Sequence, residues 1–300
     1  MELFRALAAF TEPPAAEHAR LTQILRLPGP PSREEYTKVF LFELYPYASV
    51  YLGDEGMMGG DARDRAAGVW RVLKQVPPAE PDHLAALLAL YATLAEWEEA
   101  EADPAARLLR RQTRKALLWE HLTCWLFPYL DKMEEIATPA YRGWGRLLRS
   151  ALYGEIEALG LPDKLPLHLR EAPALPHPKE HGMDAFLQGL LAPARSGLIL
   201  VRADLARGAR DLGLGIRMGE RKFALRELLS QDPAAIFGWL EDYAHGWAGR
   251  HGRLAGVTGD VSRFWTERAE MTVTMLRDLR GQTLDWLERS FPVEKGRATV

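Results

Sequence analysis

The stretch LAALLALYATLAEW, residues 84–97, decides the fold class of this chain. Its apolar side chains recur every three or four positions, at Leu84, Leu87, Leu88, Tyr91, Leu94 and Ala95. This spacing follows the 3.6-residue turn of an α-helix and differs from the strict alternation that marks a half-buried strand. The stretch therefore predicts a long helix that buries one face.

Signals that start helices surround this stretch. Ser32 with Glu35 fits a capping box, in which a hydroxyl and a carboxylate satisfy free backbone N–H groups. Asp103-Pro104 and Thr138-Pro139 each place proline at the first helical position, where its missing N–H does no harm. Asp61 is expected to cap a further helix. Helix starts are thus predicted on both sides of residues 84–97.

Stop signals and later periodic segments extend this pattern along the chain. Pro128 is expected to end the helix that starts at Pro104, and Gly160 the helix that starts at Pro139. Further helices are expected near 183–191, 203–212, 220–230, 233–249 and 260–289. Only residues 198–201 resemble a strand, and four residues do not make a sheet. The fold is predicted to be all-α, a multi-helical bundle followed by a smaller C-terminal helical region.

Proline content suggests where the chain divides. Five prolines lie between residues 162 and 178, in a stretch with few core-forming repeats. Such composition is typical of an extended linker. We expect a helical core over residues 1–161, a proline-rich linker over 162–182 and a C-terminal helical region over 183–300.

Composition excludes several classes of protein. Hydrophobic residues make up 47% and charged residues 26%, so the chain is globular. A formal net charge of −3 leaves no basic footprint for nucleic acid. The single cysteine, Cys124, allows no intrachain disulfide. No secretory leader and no membrane span are evident from the sequence. We expect a cytoplasmic protein without a membrane span.

Patterns that could support catalysis are weak. His177 and His181 have the H-x-x-E-H spacing of one zinc protease class, but Pro178 lies between them in the proline-rich stretch, which favours a solvated loop. Glu80 and His83 have the spacing of a di-iron ligand pair, but no second pair exists. Cys124 lies on an apolar segment and is expected to be a buried thiol. We expect no enzyme activity, no metal and no cofactor.

Two clusters allow a binding interpretation beside a structural one. Acidic residues 96–103 precede a run of arginines at 107–114, which indicates either solvated helix ends or a charged rim for a peptide. The aromatic segment 119–129 indicates either core or an apolar groove.

Four passages, in order, resemble the TorD/DmsD/NarJ family of redox-enzyme maturation chaperones. They are the aromatic helix 40–45 leading into 47–51, the stretch 78–84 with the helix after it, the segment EHLTCWLFPYL at 120–130, and the amphipathic helix 139–159. Together they cover about residues 36–160. The family's acidic loop usually reads E-P-x-D-H, whereas here Asp82 directly follows Pro81.

The resemblance implies an all-helical chaperone, with a C-terminal extension similar to that of longer TorD-like proteins. Its client would be the apo catalytic subunit of a molybdopterin-dependent oxidoreductase, or the twin-arginine signal peptide of that subunit. Such a chaperone would act as a monomer or homodimer, without nucleic acid. We expect its peptide-binding residues to be Tyr45, Glu80, Asp82, His83, Tyr91 and Trp125.

Two other functions remain open from the residues alone. One is a helical metal-dependent enzyme of the di-iron type. The other is a permanent non-catalytic subunit of a redox complex.

Overall fold

The computed structural model describes residues 1–217 and 219–290, with side chains described to residue 285. Met218 and residues 291–300, which belong to the expected C-terminal region, lie outside the described residues. The first helices are α1 Glu2–Ala9, α2 Glu17–Ile24, α3 Arg33–Tyr36, α4 Ala48–Leu52, α5 Gly60–Val72, α6 Leu84–Ala100, α7 Pro104–Leu117, α8 Cys124–Ile136 and α9 Pro139–Leu159.

The second half of the chain is also helical. Its elements are α10 Leu167–Glu171, α11 Pro178–Leu190, α12 Pro193–Ser196, α13 Arg202–Asp211, α14 Arg221–Gln231, α15 Pro233–Gly252, α16 Ala255–Thr258 and α17 Asp260–Ser290. Among the described residues there is one isolated antiparallel bridge, Tyr47 with His83, and no sheet. The predicted all-α fold is confirmed. None of the described helices has the length and apolar character needed to cross a membrane.

Several helix ends form where local signals predicted them. The Ser32 hydroxyl accepts from Glu35 N, and the Glu35 carboxylate accepts from Ser32 N. Asp103 Oδ2 accepts from Ala106 N at 2.7 Å at the start of α7. Gly160 follows α9 with φ of 73°. The expected cap at Asp61 is wrong, because α5 starts one residue earlier and its N-cap is Gly59.

The expectation that Pro128 ends a helix is wrong. Pro128 lies inside α8, which continues from α7 through a π-helical segment, Leu118–Thr123. Proline has no N–H, so the carbonyl of Cys124, four residues earlier, loses its helical donor. Trp265 of α17 supplies the replacement, since its indole Nε1–H donates to Cys124 O at 2.9 Å. A tertiary contact therefore satisfies the carbonyl that Pro128 leaves without a helical donor.

Residues 36–51 contain two helical segments separated by an extended stretch. A π-helical segment, Thr37–Glu43, follows α3 and ends before Pro46, and α4 starts two residues later. The residues between these helices are extended and form the bridge to His83. The break matters because it places Tyr45 and Tyr47 at the surface instead of on a helix face.

The expected linker packs as part of the molecule. It contains α10 and the start of α11, and Leu169 and Leu175 are buried. The loop expected at His177–His181 is wrong, because α11 starts at Pro178 and His177 caps it by accepting from Lys179 N, although residues 179–181 are solvent-exposed as expected. The expected domain boundaries stay a prediction.

One continuous apolar core joins the two halves, from Phe4 of α1 to Leu279 of α17. A fully buried ion pair adds to this junction, with Lys132 Nζ of α8 2.9 Å from Asp204 Oδ1 of α13. The helices after residue 183 thus complete the core that α6, α8 and α9 begin.

Candidate functional site

Asp82 anchors the start of α4. Its backbone carbonyl accepts from Ala48 N at 3.0 Å and its Oδ2 from Ser49 N at 3.2 Å, while Leu84 N donates to Pro46 O at 2.8 Å. A carboxylate at a helix N-terminus satisfies free N–H groups and complements the helix dipole. Because Asp82 is only 1% exposed, it has almost no surface to offer a ligand in this conformation.

His83 caps α6 in its neutral form. Its Nδ1 accepts from Ala85 N at 3.2 Å, which requires an unprotonated nitrogen. Burial lowers the pKa of His83, although the carboxylates of Glu12, Glu80 and Asp82 act in the opposite direction. His83 Nδ1 lies 3.6 Å from the Glu12 carboxylate. Because the ring is neutral, this contact is not an ion pair.

Tyr91 and Trp125 lie in the core. Each side chain is 0% exposed. The Tyr91 hydroxyl donates to the Glu155 carboxylate. The Trp125 ring stacks on Tyr51 with centroids 5.0 Å apart, and its Nε1 donates to His121 O. These contacts leave no surface for a peptide, so a direct contact by either residue stays a prediction that requires the core to open.

Tyr45 and Glu80 are the two predicted site residues with exposed surface. Glu80 is exposed beside His83, and Tyr45 is half-buried. Tyr45 and Tyr47 are separated by the buried Pro46, so both lie on one side of the extended segment, about 6–7 Å apart along the chain. The predicted site is therefore divided, because Tyr45 and Glu80 lie at the surface whereas Asp82, His83, Tyr91 and Trp125 are buried.

Sequence reasoning missed two adjoining clefts. The first, which we name the acidic cleft, has a volume of about 390 Å³ and carries the acids Asp54, Glu55, Asp61 and Glu171 in its wall. The second, the apolar cleft, has a volume of about 220 Å³ and is lined by Phe42, Tyr45, Val50 and Leu191, among others. Both are lined by Glu55, Met57 and Met58, so the clefts meet at the loop 53–60.

The loop 53–60 has methionines at its tip and a fixed base. Met57 and Met58 are 58% and 59% exposed. Exposed methionines suit surfaces that accept varied apolar partners, because their side chains are flexible and polarisable. The base is held by Gln188 Nε2, which donates to Glu55 O at 2.7 Å, and by Gly59 N, which donates to the Ser49 hydroxyl. Paired methionines between glycines were the one sequence signal for this surface.

The acidic cleft keeps an excess of negative charge. Arg65 pairs with Glu171, which leaves Asp54, Glu55 and Asp61 without an ion pair among the described residues. His168 adds no charge near neutral pH, because burial lowers its pKa to about 4. Burial also lowers the pKa of His121 to about 3, and its ring lies 5.6 Å from that of His168. This cleft is suited to a cation.

Comparison with protein families gives one match. Residues 12–130 match the family described as the nitrate reductase delta subunit. The match covers less than half of the chain, so it shows what this segment is similar to. The family consists of NarJ/TorD-type molybdoenzyme maturation chaperones, so the predicted resemblance is confirmed. A search of curated proteins and a search of solved structures found no significant match.

Residues 12–130, the segment that matches the family model, supply only part of each cleft. They contain the loop 53–60 and the start of α5, together with Phe42 and Tyr45. The remaining walls come from His168 and Glu171 of α10, and from residues of α11, α13 and α14. The C-terminal helices therefore complete the surface that the family segment begins.

The other clusters have structural partners. Arg110 pairs with Glu101 at 2.6 Å and Arg111 with Glu98 at 3.3 Å, which agrees with the interpretation of these charges as paired helix ends. Cys124 is buried, burial raises the pKa of its thiol, and the thiol donates to Glu120 O. Over residues 1–217 and 219–285, no three His, Cys, Asp or Glu side chains converge as metal ligands would.

Proposed function

We propose that this chain is an assembly chaperone for a molybdopterin-dependent oxidoreductase. It would hold the apo catalytic subunit in the cytoplasm while the cofactor is inserted. The observation that carries this proposal is the pair of adjoining clefts, one acidic and one apolar, built on the segment that matches a chaperone family. Recognition of a partner chain needs such a surface, whereas a reaction would need converging reactive groups.

The clefts fit a client segment in which basic residues precede an apolar run, as in a twin-arginine signal peptide. Asp54, Glu55 and Asp61 would receive the guanidinium groups, since Arg pairs well with carboxylates. Phe42, Tyr45 and the two loop methionines would cover the apolar run. In this proposal the exposed acids, and not the buried Asp82, receive the arginines.

The other predicted residues take supporting places in this proposal. Glu80 remains a direct contact, because it is exposed near Tyr47. Asp82 and His83 hold α4 and α6 at the extended segment that carries Tyr45. Trp125 supports α4 from the core by stacking on Tyr51, whereas Tyr91 packs on Phe4 of α1 and donates to Glu155 of α9. Either residue would touch a client only after the core opens.

Reversible release follows from the size and exposure of the site. A disordered segment loses conformational entropy on binding, which offsets part of the contact energy. Both clefts are open to solvent and small, so affinity is limited to what a release step can overcome. We propose that one monomer or homodimer binds one client segment per site.

Calorimetric titration with a synthetic twin-arginine leader peptide tests this proposal. Asp54→Asn/Glu55→Gln should weaken binding about tenfold by removing two exposed charges. The matched control is Asp242→Asn/Asp278→Asn, which makes the same charge change on α15 and α17. Equal loss in both variants would indicate a general electrostatic effect and contradict the site.

Two further variants separate the clefts and the buried acid. Met57→Ser/Met58→Ser should weaken the complete leader but not a short peptide that contains only its basic half. Asp82→Asn should act through the stability of α4, so its effect on affinity should follow its effect on thermal unfolding. If Asp82→Asn abolishes binding while unfolding is unchanged, the arginine site belongs at Asp82 after all.

A further inference from the structure

The apolar cleft has one wall of unusual charge. Arg202 of α13 and Arg221 and Lys222 of α14 all line it, together with Glu55 and Glu220. Apolar peptide segments need no cations for binding. The presence of three basic side chains in this wall indicates that the cleft recognises something besides apolar surface.

Arg221 is partly buried and has no carboxylate within ion-pair distance among the described residues. Its Nη1 donates to Leu200 O at 2.9 Å, which uses one of five guanidinium N–H groups. Burial lowers the pKa of Arg221 and the charge of Arg202 acts in the same direction, whereas Tyr51, Tyr45 and Glu43 act in the opposite one. A partly buried guanidinium with one hydrogen bond and no ion pair lacks the opposite charge that normally offsets the cost of burial.

The nearby acids do not supply that compensation. Glu43 already accepts from Ala203 N at 3.1 Å, and burial raises the pKa of its carboxyl. Glu55 and Glu220 line the cleft but are exposed, and neither forms an ion pair within the described chain. Lys222 reaches Asp184 at 3.4 Å on the outer side of the cleft. The unpaired positive charge is thus concentrated at Arg221 and Arg202.

The start of α14 adds to this field. The helix begins at Arg221, and its N-cap, Glu220, makes no side-chain bond to the first-turn N–H groups. Free N–H groups and the helix dipole favour an anion at this position. Arg221 therefore lies at the point where the helix end, a second arginine and an apolar wall meet.

We propose that this basic wall binds a carboxylate of the client polypeptide, an Asp or Glu flanked by apolar residues. The inference rests on the proposed function, since it names a second feature of the same client segment. A carboxylate accepts two parallel bonds from one guanidinium, and in a cleft with apolar walls these bonds are stronger than in water. An Asn or Gln carries no charge and would leave the wall uncompensated.

In this proposal the two clefts bind opposite charges at the two ends of one client segment. Basic residues occupy the acidic cleft, apolar residues cross the loop methionines, and the acidic residue pairs with Arg221. Such polarity fixes the direction and register in which the segment binds, because a reversed segment would place like charges together.

Two synthetic peptides test the inference. Both contain two arginines followed by leucine, alanine and serine, and they differ only in one Glu or Gln after the apolar run. Wild-type protein should bind the Glu peptide at least about tenfold more tightly by calorimetry. Arg221→Met should abolish this preference while retaining the affinity for the Gln peptide. Arg210→Met, an exposed arginine of α13 outside the cleft, is the control and should keep the preference.

The outcomes separate this inference from the proposed function. If wild-type protein binds both peptides equally, the carboxylate site is refuted while client binding stands. Failure to bind either peptide refutes the proposed function as well. A preference that survives in a folded Arg221→Met variant places the carboxylate elsewhere. If inorganic phosphate binds wild type but not Arg221→Met, and the Glu preference is absent, the wall binds phosphate and the inference is wrong.

Discussion

Replacing Trp265 by Phe should destabilise the protein through a carbonyl that belongs to another helix. The indole is 1% exposed, and its N–H is the donor that Cys124 O has in place of Pro128. Phe keeps an aromatic ring but has no donor. Leaving a buried carbonyl unpaired costs about 1–3 kcal/mol. The smaller ring adds about 1 kcal/mol for the void. We expect a total loss of about 2–4 kcal/mol.

Pro128→Ala provides the decisive comparison. Alanine restores an N–H four residues after Cys124, so the carbonyl regains a helical donor. In this background Trp265→Phe should cost only the packing part, about 1 kcal/mol. The coupling energy between the two positions should therefore be about 1–3 kcal/mol, the cost of the unpaired carbonyl, which is above what distant sites show.

Urea denaturation followed by far-UV circular dichroism measures the four free energies of the cycle. The dependence of the free energy on urea should be equal for all four proteins, which shows that the same unfolding event is compared. If Trp265→Phe costs the same with Pro128 and with Ala at that position, the indole does not replace the missing helical bond. The proposed link between α8 and α17 would then be packing alone.

Three further predictions concern the Lys132–Asp204 ion pair, the loop 53–60 and the buried His251. Lys132→Met removes one of the two cations paired with buried Asp204, which keeps Arg207 at 2.8 Å, and should cost about 2 kcal/mol by chemical denaturation, whereas Lys179→Met at the surface should cost nothing. Gly56→Ala places a Cβ 2.7 Å from the Leu191 carbonyl at a φ of +64°, so the leader peptide should bind more weakly in calorimetry while the core stays folded. Burial lowers the pKa of His251 from 6.5 to about 4, so the unfolded state binds a proton at a higher pH than the folded state does. The free energy of unfolding should therefore fall as the pH is lowered from 6.5 to 4. In His251→Gln this fall should be less steep.

The local signals in the sequence predicted much of the fold. The apolar repeat of residues 84–97 became α6, and the caps at Ser32 and Asp103 formed with the partners expected. These features depend on residues within about four positions of one another, so the chain specifies them without distant contacts. The passages between residues 36 and 130 were also sufficient to predict the family resemblance, because their order can be read directly from the sequence.

The candidate site was predicted less well. Asp82, Tyr91 and Trp125 matched a pattern, but the pattern carries no information on exposure, and the structure buries all three. An aromatic residue on a helix packs inward or outward according to what lies beside it. Only the arrangement of the other helices decides that.

Pro128 and the clefts show what the tertiary structure alone decided. Proline ends a helix when its lost bond has no replacement, and here the replacement comes from Trp265, far along the chain. The clefts likewise need the loop 53–60, α10 and α14 together. The sequence fixes which bonds a residue can make, whereas the folded chain determines which distant groups are close enough to make them.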